Sequence, residues 1–296
     1  GYKVLLDYAD DGAAQAEQLA QQAATAKILL IAPVDTKAIY EQLSAAAAKD
    51  VKLISYDRLL TDTPYADWYL TFDSYKAGQL QGQYIKDKLD LDNHEGPFNV
   101  EPFAGAPEDN NARLAFEGAW EVLGPYAIAG KVNTPGVKDQ LSLTAWAPVA
   151  VPRWDSALAK TEMARRLSAY QSQRVDAVLA PNDSIATGVA AALEDAGYKP
   201  SRFPVITGQD ADAANVRAIL EGTQSMTVWK DTRELVQAAV TLVNQLAMGQ
   251  EPATTTSTNN GVRQVPSLLL EPVAITKDNV QELVESGFLT QEEIDG

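Results

Sequence analysis

The chain has 296 residues, 46% hydrophobic and 22% charged, with a formal net charge of −16 at pH 7. That is material for one large or two medium domains with proper cores, and the acidity disfavours nucleic acid or an anionic membrane as partner. Zero cysteines and one histidine exclude disulfides, thiolate or histidine metal sites and a cysteine nucleophile, and His94, in the polar loop LDNHEG, is a poor base for a serine triad.

The chain opens on GYKVLLDYADD, strand-like over Lys3–Tyr8, and continues into a helix over Ala13–Ala26. A strand is expected at Lys27–Ala32, a helix at Lys37–Ala48, then strands at Lys52–Tyr56 and Trp68–Phe72. Next come a helix over Ser74–Leu89, a strand over Phe98–Phe103 and a helix over Asn111–Val122. Beyond a polar stretch, Ser156–Tyr170 is helical, Ala177–Ala180 a strand and Ser184–Ala196 helical. Strand Val205–Thr207, helix Ala213–Glu221, strand Ser225–Trp229 and helix Arg233–Met248 follow. The polar stretch GQEPATTTSTNNGVRQVPS, Gly249–Ser267, reads as a surface loop. A strand over Leu268–Ile275 and a helix over Asp278–Glu285 close the chain. No apolar run approaches the ~18 residues of a membrane helix, and LDLDNHEG departs from a calcium loop's spacing. Apolar runs such as ILLIAP and DAVLAP read as parallel strands covered on both faces, and the alternation predicts two doubly wound α/β domains.

Ligands of open α/β sheets bind beyond the carboxyl ends of the strands. Tyr56, Asp57 and Arg58 follow one strand; Asp109, Asn110, Asn111 and Arg113 follow another. Asn182 and Asp183, then Gln209, Asp210 and Asp212, then Trp229 and Lys230, follow three more, and Trp154 stands just ahead of a helix. Any one of these alone reads as a helix cap, a solvated charge or a packed aromatic. Their coincidence at five strand ends predicts a polar ligand site. It offers carboxylate acceptors, two-way amides and cationic donors, which together suit a ring of sugar hydroxyls, while an indole suits the apolar face of a pyranose. Neither a GxGxxG nor a Gly-rich lysine loop is present for a phosphate.

ISYDRLL, GAPEDNNARL, APNDSIATG, ITGQDAD and TVWKDTREL, in this order, resemble motifs of the bacterial solute-binding proteins for monosaccharides, above all the xylose-binding and multiple-sugar-binding receptors of ABC importers. The resemblance implies the type I periplasmic binding protein fold: two doubly wound parallel-sheet lobes joined by three crossing segments. The lobes would comprise residues 1–72 with 231–266 and 73–230 with 267–296. It also implies that the first strand and helix of the N-terminal lobe are missing from the present chain, leaving a strand edge open. Ligand contacts are expected from Asp57, Arg58, Asp109, Asn111, Trp154, Asn182, Asp210 and Lys230, with Asn110, Glu108 and Asp183 as caps or supports.

The expected function is extracytoplasmic: a monosaccharide, D-xylose or D-glucose ahead of galactose or arabinose, is trapped in the interlobe cleft by hinge closure and delivered to a membrane permease. The receptor is expected to be a monomer, periplasmic or held at the cell surface, without cofactor, metal or catalytic step. Two alternatives share its features. One is the sugar-sensing effector domain of a transcription repressor; the other is a carbohydrate hydrolase using Asp109 and Asp210 as paired carboxylates.

Overall fold

A computed structural model describes residues 3–170 and 174–295. In chain order its elements are α1 (Gly12–Gln22), β1 (Ile28–Ile31), α2 (Tyr40–Ala47), β2 (Lys52–Tyr56), β3 (Trp68–Phe72), α3 (Ser74–Lys88), β4 (Phe98–Pro102), α4 (Asn110–Ile128), β5 (Val132–Asn133), α5 (Ser156–Leu167), β6 (Ala177–Leu179) and α6 (Asp183–Asp195). There follow β7 (Val205–Ile206), α7 (Ala213–Glu221), β8 (Met226–Trp229), α8 (Thr232–Ala247), β9 (Thr256–Asn259), β10 (Gln264–Leu270), β11 (Val273–Thr276), α9 (Gln281–Glu285) and α10 (Gln291–Asp295). They divide into two compact units, Gly1–Phe72 with Thr232–Leu270 and Asp73–Asp231 with Glu271–Gly296. The chain therefore passes between the units three times, at 72–73, 231–232 and 270–271.

The first unit is built on a sheet of order β1-β2-β3-β10-β9, in which β1, β2, β3 and β10 are parallel and β9 runs antiparallel to β10. All five residues of β3 are buried, as expected of a strand covered on both faces. Leu53 and Tyr69 pack with Leu19, Ile39 and Leu43 on one side. Ile54 packs with Leu242, and Leu70 with Leu235 and Ala239, on the α8 side. The period-2 alternation of the strands thus divides their side chains between two helical layers.

The second unit carries the parallel sheet β5-β4-β6-β7 and the antiparallel pair β11-β8. A single bridge between Gln209 and Val228 ties the chain beyond β7 to β8. Its core fills two layers, one around Met163, Val178, Ile185 and Leu193, the other around Val100, Phe116, Trp120 and Leu123. Among the described residues no helix is long and apolar enough to cross a membrane.

Five expectations need correction. Lys3–Tyr8 is no strand: Val4, Leu5, Leu6 and Tyr8 are exposed, and the sheet order offers that segment no ladder. The expected strand over Leu268–Ile275 is two, β10 and β11, separated by Glu271-Pro272, where proline supplies no ladder donor. The polar stretch Gly249–Ser267 is largely an antiparallel hairpin, not a loop. Its turn is closed by the buried Asn260, whose amide donates to Leu60 O at 2.9 Å and Thr63 O at 2.8 Å. The unit boundary consequently lies after Leu270 rather than at 266/267, because β10 pairs with β3 through Ser267–Leu270. Finally, α4 runs past Val122 to Ile128 with Pro125 inside it, in the last turns, where proline removes only one helical hydrogen bond.

Candidate functional site

In the first unit the turn after β2 carries Asp57 and Arg58. Asp57 has φ 60, in the left-handed region that aspartate tolerates better than most residues. Its backbone is held on both sides: Asp57 N donates to Leu70 O at 2.8 Å, and Tyr69 Oη donates to Asp57 O at 3.0 Å. Ser55 Oγ donates to Arg58 O at 2.7 Å and accepts from Leu60 N at 2.7 Å. Both side chains are half-buried at the carboxyl end of a central strand.

In the second unit Asp109 ends the turn after β4 and caps α4. Its Oδ1 accepts from Asn111 N at 2.9 Å, and the residue is buried. Capping is thus done by Asp109 itself, not by Asn110 or Glu108 as expected. The reason is local: Asp109 has extended backbone, φ −95 and ψ 117, from which a side chain reaches back to the first helical N–H groups. Asn110 is instead gripped by Arg113, whose Nη2 donates to Asn110 Oδ1 at 2.8 Å while Nη1 pairs with Glu117 at 2.6 Å. Asn111 is half-buried in the first turn of α4.

Trp154 reaches the same strand end. It lies in a short turn, Pro152–Trp154, with φ 56 at Arg153 and φ 57 at Trp154. Two consecutive left-handed non-glycine residues cost about 1–2 kcal/mol each. Their surroundings hold them there: Val151 N donates to Ala104 O at 2.9 Å, and Ser184 Oγ donates to Trp154 O at 2.9 Å. The indole lies directly over Gly105, where a Cβ would stand 2.1 Å from Cη2. Gly105, the first residue of GAPEDNN, was not singled out by the sequence reading. A glycine two residues past the expected strand was the available signal.

Asn182 caps α6, its Oδ1 accepting from Ile185 N at 3.0 Å. Asp210 follows β7 at φ 103; its amide donates to Val228 O at 2.8 Å and its carboxylate pairs with Lys230 Nζ at 3.2 Å. Burial raises the carboxyl of neighbouring Asp212, and the negative charge of Asp210 raises it further.

Contacts run continuously through this unit. Trp154 covers Gly105 of the Asp109 loop and is bonded to Ser184, two residues from Asn182. Asp183 N donates to Gln209 O at 2.9 Å, and Asp210 pairs with Lys230. Asp109, Trp154, Asn182, Asp210 and Lys230 are therefore brought together on one linked set of loops in the second unit. Asp57 and Arg58 belong to the first unit, on its β2 turn. Chemically the second-unit set supplies two carboxylates, one amide, one ammonium group and an indole face, all on backbone held by capping or bridging bonds.

A family model described as periplasmic binding protein domain matches residues 1–251. The multiple sugar-binding periplasmic protein SbpA of Azospirillum brasilense is 42% identical over 98% of this chain and 82% of its own length. The multiple sugar-binding periplasmic receptor ChvE of Rhizobium radiobacter is 38% identical over 99% of this chain and 84% of its own. Among solved structures, an ABC transporter solute-binding protein from Clostridium phytofermentans with bound β-D-glucose has a TM-score of 0.92 and 38% identity, over 99% of this chain and 91% of that one. The chain belongs to the type I periplasmic binding proteins, in their sugar-binding family, whose members are binding proteins rather than enzymes.

Proposed function

We propose that the chain is an extracytoplasmic monosaccharide receptor, with D-xylose or D-glucose as its favoured ligands, that serves an ABC permease. The observation that carries the reading is the linked set in the second unit: two carboxylates, an amide and an ammonium group on bonded turns beside a half-buried indole. Sugar hydroxyls donate to Asp109 and Asp210 and exchange hydrogen bonds with Asn111 and Asn182, and Trp154 covers the apolar face of the ring. Lys230 serves hydroxyls as a donor and, 3.2 Å from Asp210 Oδ1, aims that carboxylate. Asp57 and Arg58 add a second acceptor–donor pair from the first unit. Charge-assisted hydrogen bonds contribute about 1.5–3 kcal/mol each, so an epimer that leaves one carboxylate unpaired is rejected by a factor of ten or more.

Support also comes from the relatives. Two receptors named for multiple sugars and a D-xylose-binding periplasmic protein of Escherichia coli, 35% identical over 90% of this chain, favour a receptor over the repressor domain and the hydrolase. Structures with bound β-D-glucose and D-glucose favour an aldopyranose ligand. Calorimetric titration with D-xylose, D-glucose, D-galactose, L-arabinose and D-ribose tests the reading. Saturable binding of D-xylose or D-glucose with no product formed is expected; heat from none of the five overturns it.

A further inference from the structure

Asp183 stands beside Asn182 and has no role in the ligand set, yet its carboxyl is completely buried, at 0% exposure. Oδ1 accepts from Gln224 Nε2 at 2.8 Å; Oδ2 accepts from Asp212 N at 2.9 Å and from Thr227 Oγ1 at 3.0 Å. These three donors come from the turn before β8, the loop after β7, and β8 itself. With its own position at the start of α6, one carboxyl therefore ties together the carboxyl ends of β6 and β7 and the strand β8.

The donors are fixed in turn. Gln224 Oε1 accepts from Asn215 Nδ2 at 2.8 Å, and Thr227 Oγ1 accepts from Ala211 N at 3.2 Å. The chain of amides runs in one direction, Asn215 donating to Gln224 and Gln224 to Asp183, so position 183 must end it with an acceptor. Gly208 leaves the room: a Cβ there would stand 2.1 Å from Asp183 Oδ1. Between Gly208 and Asp212 lies Asp210, with φ 103, followed by Ala211 at φ 55. Such backbone persists only where its surroundings over-determine it. Asp183 brackets that loop by its backbone bond to Gln209 O, its bond from Asp212 N and its hold on Thr227. The negative charge of Asp210 faces it, and Asp210 in turn pairs with Lys230 at 3.2 Å.

We propose that Asp183 is a positioning residue for ligand recognition, holding the Asn182 cap and the strained Asp210 turn in one fixed relation so that both present to the same monosaccharide. The inference rests on the receptor reading above. Asp183, Asn215, Gln224 and Thr227 are buried away from solvent, so Asp183 acts on the ligand only through its neighbours.

The test is a double-mutant cycle on the full chain, read by titration with D-glucose and D-xylose alongside thermal unfolding. Asp183→Asn keeps the shape but puts a donor where three donors converge. It is expected to lower affinity at least tenfold while the protein still unfolds cooperatively. In an Asp210→Asn background the same substitution is expected to cost several-fold less than in wild type, because one of the two groups it positions no longer carries its carboxylate. An unchanged affinity for Asp183→Asn overturns the inference, and so does an equal loss in both backgrounds, which is what a purely structural role produces. Should Asp183→Asn not fold, Thr227→Val, which removes the hydroxyl between Asp183 and Ala211, replaces it with the same expected and overturning outcomes. If the wild-type chain binds neither sugar, the receptor reading itself falls, and the inference with it.

Discussion

Gly105 and Trp154 illustrate how one side chain depends on the absence of another. The indole occupies the space that any Cβ at 105 would need, at 2.1 Å from Cη2. Gly105→Ala must therefore push the ring aside. Its effect on sugar affinity is expected to match Trp154→Ala, a loss of tenfold or more, with a small change in melting temperature. Because both act through the same ring, adding Gly105→Ala to Trp154→Ala is expected to cost less than twofold further. Calorimetry on the four proteins checks this; additive losses would show that Gly105 acts on something else. Asp109 shows the other kind of dependence. Its carboxylate caps α4 and is proposed to hold a hydroxyl, so Asp109→Ala is expected to lower stability by about 1 kcal/mol as well as affinity. Asn111→Ala keeps the backbone N–H that serves the cap and is expected to lower affinity with stability nearly unchanged, as read by paired titration and urea unfolding.

At the scale of elements, β4 and α5 are joined by a buried ion pair. Arg166 and Glu101 are 1% and 0% exposed, with Nη1 of Arg166 at 3.2 Å from Glu101 Oε2 and at 2.7 Å from Pro102 O. Gly136 N donates to Glu101 Oε1 at 2.7 Å and Tyr170 Oη donates to it at 2.5 Å, while the guanidinium lies over the Phe103 ring at 4.0 Å. Burial and the Glu101 charge together drive the Tyr170 phenol far above its usual range, so it stays a donor at any working pH. Removing Glu101 takes away one of two carboxylates that hold the buried guanidinium, the other being Glu162 at 2.8 Å from Nε. Glu101→Ala is expected to cost about 3–5 kcal/mol in urea unfolding, and pairing it with Arg166→Met to recover part of that loss.

The whole molecule's response to pH combines groups of opposite sign. Hydrogen bonds from Arg165, opposed by burial and aided by Arg166, hold the Glu162 carboxyl at about 2. A depressed folded value means that its contribution is complete above the ordinary glutamate range and is lost as pH falls toward 2. Asp183 works the other way: burial, then the charge of Asp210, raises it well above the usual range, against the hydrogen bonds it accepts. Its contribution is complete at low pH and declines as pH rises through that raised value. Melting temperature measured across pH is therefore expected to lose part of its acid slope in Glu162→Gln and part of its decline toward higher pH in Asp183→Asn. Superimposable curves for wild type and either variant would remove that residue from the account.

Much of this was legible before any coordinates. The strand and helix alternation, and strands such as Lys52–Tyr56 and Trp68–Phe72, follow from apolar runs whose period admits one reading. The polar residues beyond those strands follow from topology alone, since ladders of an α/β sheet end where their loops begin. Chain-local chemistry stopped short wherever a partner distant in sequence decides. The β9–β10 hairpin is polar throughout its first strand and is strand only because β10 pairs with β3. Lys3–Tyr8 has a strand's composition and no strand beside it. Asp183 reads as one more cap, and only the fold brings Gln224, Asp212 and Thr227 around its carboxyl. Composition and period are properties of a segment, and they determined the class of this protein and the strand-end residues proposed for its site. Hydrogen-bond pairing and burial are properties of neighbours, and those the tertiary structure alone supplied.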